Sequence, residues 1–185
     1  NNNKYSIYAT YIAAAADVQR QVAVTAKVQE WLIFTVSTSS VYLLPDLVDT
    51  AGNTNIGSST IIDLNLGTNS SDGWSVNVTS TNSALQSGSN YIYSKDCTAS
   101  GGSDCYGIQG QSATTGVNIA PKYNYWTEQV GAVSSSVSFV FATSTNIYPS
   151  GTNVADMRIK TSCLATKAPG LNYQDTIYLT AVPAP

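Results

Sequence analysis

The stretch Ile62-Asp63-Leu64-Asn65-Leu66-Gly67-Thr68-Asn69-Ser70-Ser71-Asp72-Gly73-Trp74-Ser75-Val76-Asn77-Val78-Thr79 decides the fold. Apolar side chains fall at Ile62, Leu64 and Leu66 and again at Trp74, Val76 and Val78, with Asp63, Asn65, Ser75, Asn77 and Thr79 between them. A period of two belongs to a strand with one face in a core and the other toward water or a neighbour. The run from Gly67 to Gly73 that separates the two halves is built from turn-forming residues.

Working outward, the same period recurs. Val22, Val24, Ala26 and Val28 alternate with Ala23, Thr25, Lys27 and Gln29, so the first strand of the body is expected over Val22 to Val36. Val137, Phe139 and Phe141 alternate with Ser138, Val140 and Ala142, and Ile177, Leu179 and Ala181 with Tyr178, Thr180 and Val182. Further breaks are expected at Asp49 to Asn53, at Gly101-Gly102 and at Pro149-Ser150-Gly151. Around nine or ten strand candidates at this spacing predict an all-β chain forming a single β-sandwich of jelly-roll type. The segment from about residue 91 to 128 is less regular and reads as an insertion between sandwich strands.

Composition narrows the function. Only 10% of the 185 residues are charged, where average soluble domains carry about 25%. Lys and Arg number 8 against 11 Asp and Glu, with no basic run, so the cationic footprint of a nucleic-acid binder is missing. The chain has no His, which removes Ser-His-Asp and Cys-His catalysis and imidazole metal ligation. Neither an enzyme nor a cofactor is expected, and no metal ligand set stands out.

No apolar run approaches the ~20 residues that span a bilayer. The longest small-residue stretch, Ile12 to Ala16, ends at Asp17. The opening Asn1-Asn2-Asn3 and the hydroxyl- and amide-rich composition read as a mature secreted protein whose leader has been removed. Cys97 and Cys105 flank a Gly/Ser-rich segment and are expected to close a disulfide loop, the alternative being two reduced surface thiols. Cys163 shares the apolar phase of Met157, Ile159 and Thr161, with Arg158 and Lys160 on the other face, and reads as an inert core thiol.

The N-terminal segment is the most informative for function. Tyr5, Ile7, Ala9, Tyr11 and Ala13 form one apolar face of a long, β-prone stretch almost without charge. It is either the first strand of its own sandwich or a detached arm that inserts into a neighbouring subunit. The alanines from 13 to 16 also suit one or two helical turns over about 12–20. A flat, uncharged terminal strand is an aggregation hazard unless it is always paired, and donation to a neighbour resolves the hazard. The adopted division is an N-terminal donor arm and hinge over 1–17 and a sandwich body over 18–185. An arm that fits the next copy makes an open, head-to-tail contact that propagates into a filament.

Three stretches carry a resemblance: Gln29-Glu30-Trp31-Leu32-Ile33-Phe34-Thr35-Val36, Leu64 to Val76, and Tyr173-Gln174-Asp175-Thr176-Ile177-Tyr178-Leu179-Thr180. The chain resembles secreted prokaryotic β-sandwich filament subunits, among them the TasA-like biofilm matrix fibre proteins and archaeal bundling-pilus subunits. The Asp175-Thr176-Ile177-Tyr178-Leu179-Thr180 pattern is also similar to the last strand of chaperone–usher and other pilus subunits. The resemblance implies polymerisation by donor-strand complementation through the N-terminal segment. TasA-like proteins are richer in Lys and Asp, so the charge-poor composition departs from them.

Other candidates weigh less. Glu30 and Glu128 lie near Trp31 and Trp126, as a sugar site would require, but exposed strand-end carboxylates are commoner. Asp46 to Asn55 offers oxygen ligands around a turn without the spacing of an EF-hand loop, and Asx-turns explain it as well. Among the 12 Tyr and 3 Trp, Tyr123, Tyr125 and Trp126 are the candidates for stacking on glycans or on other subunits, while Trp31 and Trp74 follow apolar phases and are expected in the core. Asn69 and Asn77 satisfy the N-glycosylation rule, Asn69 in a turn and Asn77 on the polar side of its strand.

The sequence therefore leads to a secreted, structural subunit of an extracellular filament, a homopolymer of identical chains with no nucleic-acid partner and no membrane insertion. The candidate acceptor edge is the last strand, at Ile177, Leu179 and Ala181. The alternatives are a monomeric adhesin or carbohydrate-binding module, with glycans as partners, and a glycosidase with unrecognised carboxylates.

Overall fold

A computed structural model describes residues 25–44, 56–99, 103–124, 129–163, 167 and 172–184. Among these the chain forms β1 (Leu32–Val36), β2 (Ile56–Ser58), β3 (Ile62–Thr68), β4 (Trp74–Ser80), β5 (Ala84–Ser87), β6 (Asn90–Tyr93) and β7 (Cys97–Thr98). It continues with β8 (Cys105–Ala113), β9 (Val117–Ile119), β10 (Gln129–Val130), β11 (Phe139–Ser144), β12 (Tyr148–Ser162) and β13 (Ile177–Pro183). No described residue is helical. The chain is all-β and sandwich-like, as its period of two requires.

The two halves of the deciding stretch go to different sheets. Strand β3 pairs antiparallel with β1 on one side and β12 on the other, and β12 also pairs with β2 and β8. Strand β4 pairs antiparallel with β13 and β11, and β11 with β9. The inward residues Leu64, Leu66, Trp74, Val76 and Val78 are all buried in one core with Ile108, Phe141, Val154 and Met157. Fully burying such side chains contributes about 1.5–3 kcal/mol each.

Short arches carry the chain between the sheets at 69–73, 114–116 and 145–147, all at the same end of the sandwich. Two need glycine. Gly73 has φ +95°, and an added Cβ would overlap the Ser144 carbonyl oxygen. Gly116 has φ +87°, and a Cβ there would overlap the Asn146 amide.

Several local expectations are corrected. Among residues 25–31, where the alternation begun at Val22 continues, the chain is exposed and forms no ladder, so β1 starts only at Leu32. The inward phase of β1 is Leu32 and Phe34, which leaves Trp31 37% exposed rather than in the core. Pro149-Ser150-Gly151 lies inside β12, absorbed as a register shift between Tyr148 and Thr152. A second irregularity, between Val140 and Ala142 of β11, lets Phe141 and Ala142 both be buried. Lys160, expected on a solvent face, is buried with Ser162. The cause is a small second layer over β8 and β12, in which β7 pairs with β10 and Ala99, Cys105 and Val130 form their own cluster.

The segment at about 91–128 holds β8, which matches β12 from Ala113 to Cys105, and β9, the outer strand of the other sheet. Cys97 and Cys105 form a disulfide with Cα atoms 6.1 Å apart, tying β7 to β8. Ser162 is the register partner of Cys105, and Cys163 is the next residue, so its side chain leaves from the opposite face of the sheet. Cys163 is half-buried against the main core while Cys105 sits in the second layer, which fixes the disulfide pairing.

Candidate functional site

The sandwich has two sides, and they end differently. On the β8/β9 side the edge of β8 is sealed from Tyr106 to Gly110. Ile108 and Gly131 exchange backbone bonds of 3.0 and 2.8 Å, and the Gly110 N–H donates to Tyr123 O at 2.6 Å. Lys95 N–H donates to Tyr106 O at 3.2 Å. Tyr123, a sequence candidate for an exposed aromatic, is instead fully buried there against Phe141, with its hydroxyl donating to Ala132 O at 2.9 Å. The ring fits because Gly131 has no Cβ to occupy its place, while the bare Gly110 lets the Ile119 side chain and the Tyr123 carbonyl approach β8.

On the β1/β13 side no described residue seals the edge. The alternation of bonds settles which backbone groups point outward. Thr176 O accepts Thr81 N–H at 2.8 Å and Ala184 N–H donates to Gly73 O at 2.9 Å, so the even-numbered residues of β13 bond to β4. The N–H and C=O of Ile177, Leu179 and Ala181 therefore face the free edge, and no described residue bonds to them. In β1, Ser37 N–H donates to Asp63 O at 3.0 Å, which by the same alternation turns the groups of Leu32, Phe34 and Val36 outward.

The side chains of the two edge strands complete the picture. Leu32, Phe34, Ile177, Leu179 and Ala181 point toward the core yet remain only half-buried. Strand β13 is seven residues long, carries no charge and no bulge, and has its only proline at its last position. Edges of this length are ordinarily blunted by charge, proline or a bulge. The sequence candidates Ile177, Leu179 and Ala181 thus combine inward apolar side chains with backbone that is unpaired among the described residues. The matching edge of β1 was not singled out, although its alternation is visible in Leu32, Phe34 and Val36.

The start of β13 is anchored by one carboxylate. Asp175 Oδ1 accepts the N–H groups of Asn82 and Thr176 at 3.1 and 2.9 Å, and Oδ2 accepts the Tyr106 hydroxyl at 3.2 Å. Burial pushes the Asp175 carboxyl above its ordinary value of 3.8, against those hydrogen bonds. Burial, followed by the Asp175 charge, pushes the Tyr106 hydroxyl well above its ordinary 10.0. Gln174 and Gln86 exchange backbone bonds of 2.8 and 2.9 Å just before it.

Chain leaving β1 toward the N-terminus is also held. Asn69 Oδ1 accepts Trp31 N–H at 2.8 Å and Asn69 Nδ2 donates to Gln29 O at 2.9 Å, so its amide substitutes for a strand neighbour. Thr68 Oγ1 donates to Trp31 O at 2.9 Å, and Ser70 Oγ bonds Glu30. The Asn69 amide is thereby engaged with backbone rather than projecting freely from its turn. Asn77 stands on the outer face of β4 between Thr180 and Val140, half-buried, with only a 3.5 Å bond to Ser75 Oγ.

The donor-arm residues Tyr5, Ile7, Ala9, Tyr11 and Ala13 lie outside the described residues, as do Asp46 to Asn55, Tyr125, Trp126 and Glu128. Among the described residues no helix is long and apolar enough to cross a membrane. Comparison with protein-family models, curated proteins and solved structures returns no match.

Proposed function

We propose that this chain is a structural, non-enzymatic subunit of an extracellular filament, polymerising head-to-tail by inserting residues about 4–14 into the open edge of the next copy. One observation carries the reading. A long, uncharged edge strand presents backbone that no described residue pairs at Ile177, Leu179 and Ala181, the residues whose apolar side chains the described residues leave half-covered. A strand laid there would complete the main-chain ladder and cover those side chains together, the two sources of affinity and specificity in strand addition. The disulfide supports an oxidising, secreted setting. A chain with 10% charge that meets mostly copies of itself has little need of charge repulsion.

The test is deletion of residues 1–16, followed by electron microscopy and sizing. The truncated chain is expected to remain monomeric and folded; fibres from the truncated chain refute the reading. A second reading, a glycan-binding adhesin, is favoured by Tyr91 and Tyr93 of β6. Their rings stack at 5.5 Å and 12°, with Tyr93 61% exposed, a platform of the kind that sugars stack on. Glycan-array binding by the truncated monomer, lost in Tyr93→Ala, would support it.

A further inference from the structure

The open side offers an incoming strand two edges, β1 and β13, and the chain's own topology chooses between them. Strands β1 and β13 are each antiparallel to a partner, β3 and β4, and those partners reverse direction across the arch at 69–73. Consequently β1 and β13 run opposite ways on the open side.

The path of the N-terminal segment is fixed where it leaves the body. Residues 29–31 continue past the end of β1, held by the Asn69, Thr68 and Ser70 side chains in line with the β1/β3 register. The chain therefore departs along β1's own axis, at the end where the arches lie. In a head-to-tail stack every copy points the same way, so an arm continuing that axis runs parallel to the next copy's β1 and antiparallel to its β13. Antiparallel pairing is the more stable per residue, and β13 is the longer edge, with seven residues against five.

Resting on the filament reading above, we infer that the donated strand joins the four-stranded sheet antiparallel to β13 and leaves β1 an unpaired edge, with Asn69 as the positioning residue that sets the arm's direction. In this arrangement the donor residues directly opposite Ile177, Leu179 and Ala181 point inward with them. A single apolar face, such as the one formed by Tyr5, Ile7, Ala9, Tyr11 and Ala13, is what that geometry takes up.

Amide hydrogen exchange on the full chain, compared between monomer and fibre, separates the possibilities. Exchange at Ile177, Leu179 and Ala181 should slow by about 100-fold or more in the fibre, with Leu32, Phe34 and Val36 unchanged. Slowing at β1 alone, or at both edges, overturns the inference while leaving strand donation standing. Fibres with neither edge slowed overturn both. Ala181→Pro gives an independent check, because it removes an N–H that faces only the free edge while every bond to β4 remains. It should abolish fibres from a folded monomer, whereas Val36→Pro should permit them; the reverse pattern overturns the assignment. Asn69→Ala should lower the rate of fibre growth at least several-fold with the monomer still folded, and growth at the wild-type rate removes Asn69 from the proposal.

Discussion

The two sides of this sandwich are made from similar material and finished in opposite ways. At the β8/β9 side, glycines at 107, 110 and 131 let a second layer and the Tyr123 ring approach the sheet, and every edge group cited there has a backbone partner. At the β1/β13 side, inward residues as large as Phe34 and Leu179 stop half-covered. Among the described residues, local loops seal one side and not the other. The sealed side stabilises the monomer, and the open side is where further burial remains to be gained.

The sharpest way to break that comparison is to unseal the closed side. Tyr123→Ala should cost about 3–5 kcal/mol in chemical denaturation, since it empties a fully buried ring site between Phe141 and Gly131. Leu179→Ala should cost the monomer only about 1–2 kcal/mol, because its side chain is half-exposed there. Fibres should lose far more from Leu179→Ala than monomers do, which dissociation in denaturant will measure. Equal losses in both states would mean that nothing covers Leu179 on assembly.

Removing the disulfide probes the sealed side next. It closes a loop with a sequence separation of 8, for which chain entropy predicts about 2–3 kcal/mol. The paired Cys97→Ser and Cys105→Ser variant should be less stable by that amount and still assemble, because the bridge ties β7 to β8 and touches neither β1 nor β13.

What the sequence disclosed follows the same division. Strands whose alternation is answered by a buried face, such as Leu64-Leu66 and Trp74-Val76-Val78, could be read directly. So could the apolar phase of Ile177, Leu179 and Ala181, since periodicity reports orientation whether or not the edge is paired. Trp31 was misread because one residue of phase moves a side chain to the other face, and the phase of β1 is set by β3 rather than by its own neighbours. Tyr123 and Lys160 were hidden because their burial depends on how other strands pack over them, β11 with Phe141 in one case and the β7–β10 layer in the other. The Asn69 clamp left only a sequon as its trace, and a sequon does not reveal a side chain acting as a strand neighbour.

Alkaline titration tests how far the core depends on neutral phenols. Tyr106 and Tyr123 both have hydroxyls raised above the ordinary 10.0, mainly by burial, with Asp175 and Asp96 adding to it respectively. The unfolded chain therefore releases these protons first, and the stability they contribute, whole below pH 10, is lost as pH rises toward their folded values. Unfolding free energy should fall above pH 10, and Tyr106→Phe should flatten part of that fall. An unchanged slope in Tyr106→Phe would place the alkaline sensitivity elsewhere.

The smallest expected effect lies at the anchor of the open edge and has the opposite practical sense. Asp175 is also raised in the folded state, so its contribution is fully present below 3.8 and is lost as pH rises through its folded value. Acidification from neutral pH should therefore stabilise the hold on β13 through this group rather than release it. Asp175→Asn keeps a carbonyl oxygen for the Asn82 and Thr176 N–H groups and turns an amide toward the Tyr106 hydroxyl, which can accept. The substitution should change stability at neutral pH by no more than roughly 1 kcal/mol and remove this part of the acid dependence. Asp175→Ala leaves two N–H groups and a buried hydroxyl without their acceptor, and should free the start of β13 to exchange faster than its end. Should Asp175→Ala leave that gradient unchanged, the edge strand is held by β4 alone, and the carboxylate plays no part in keeping the open side in place for a partner.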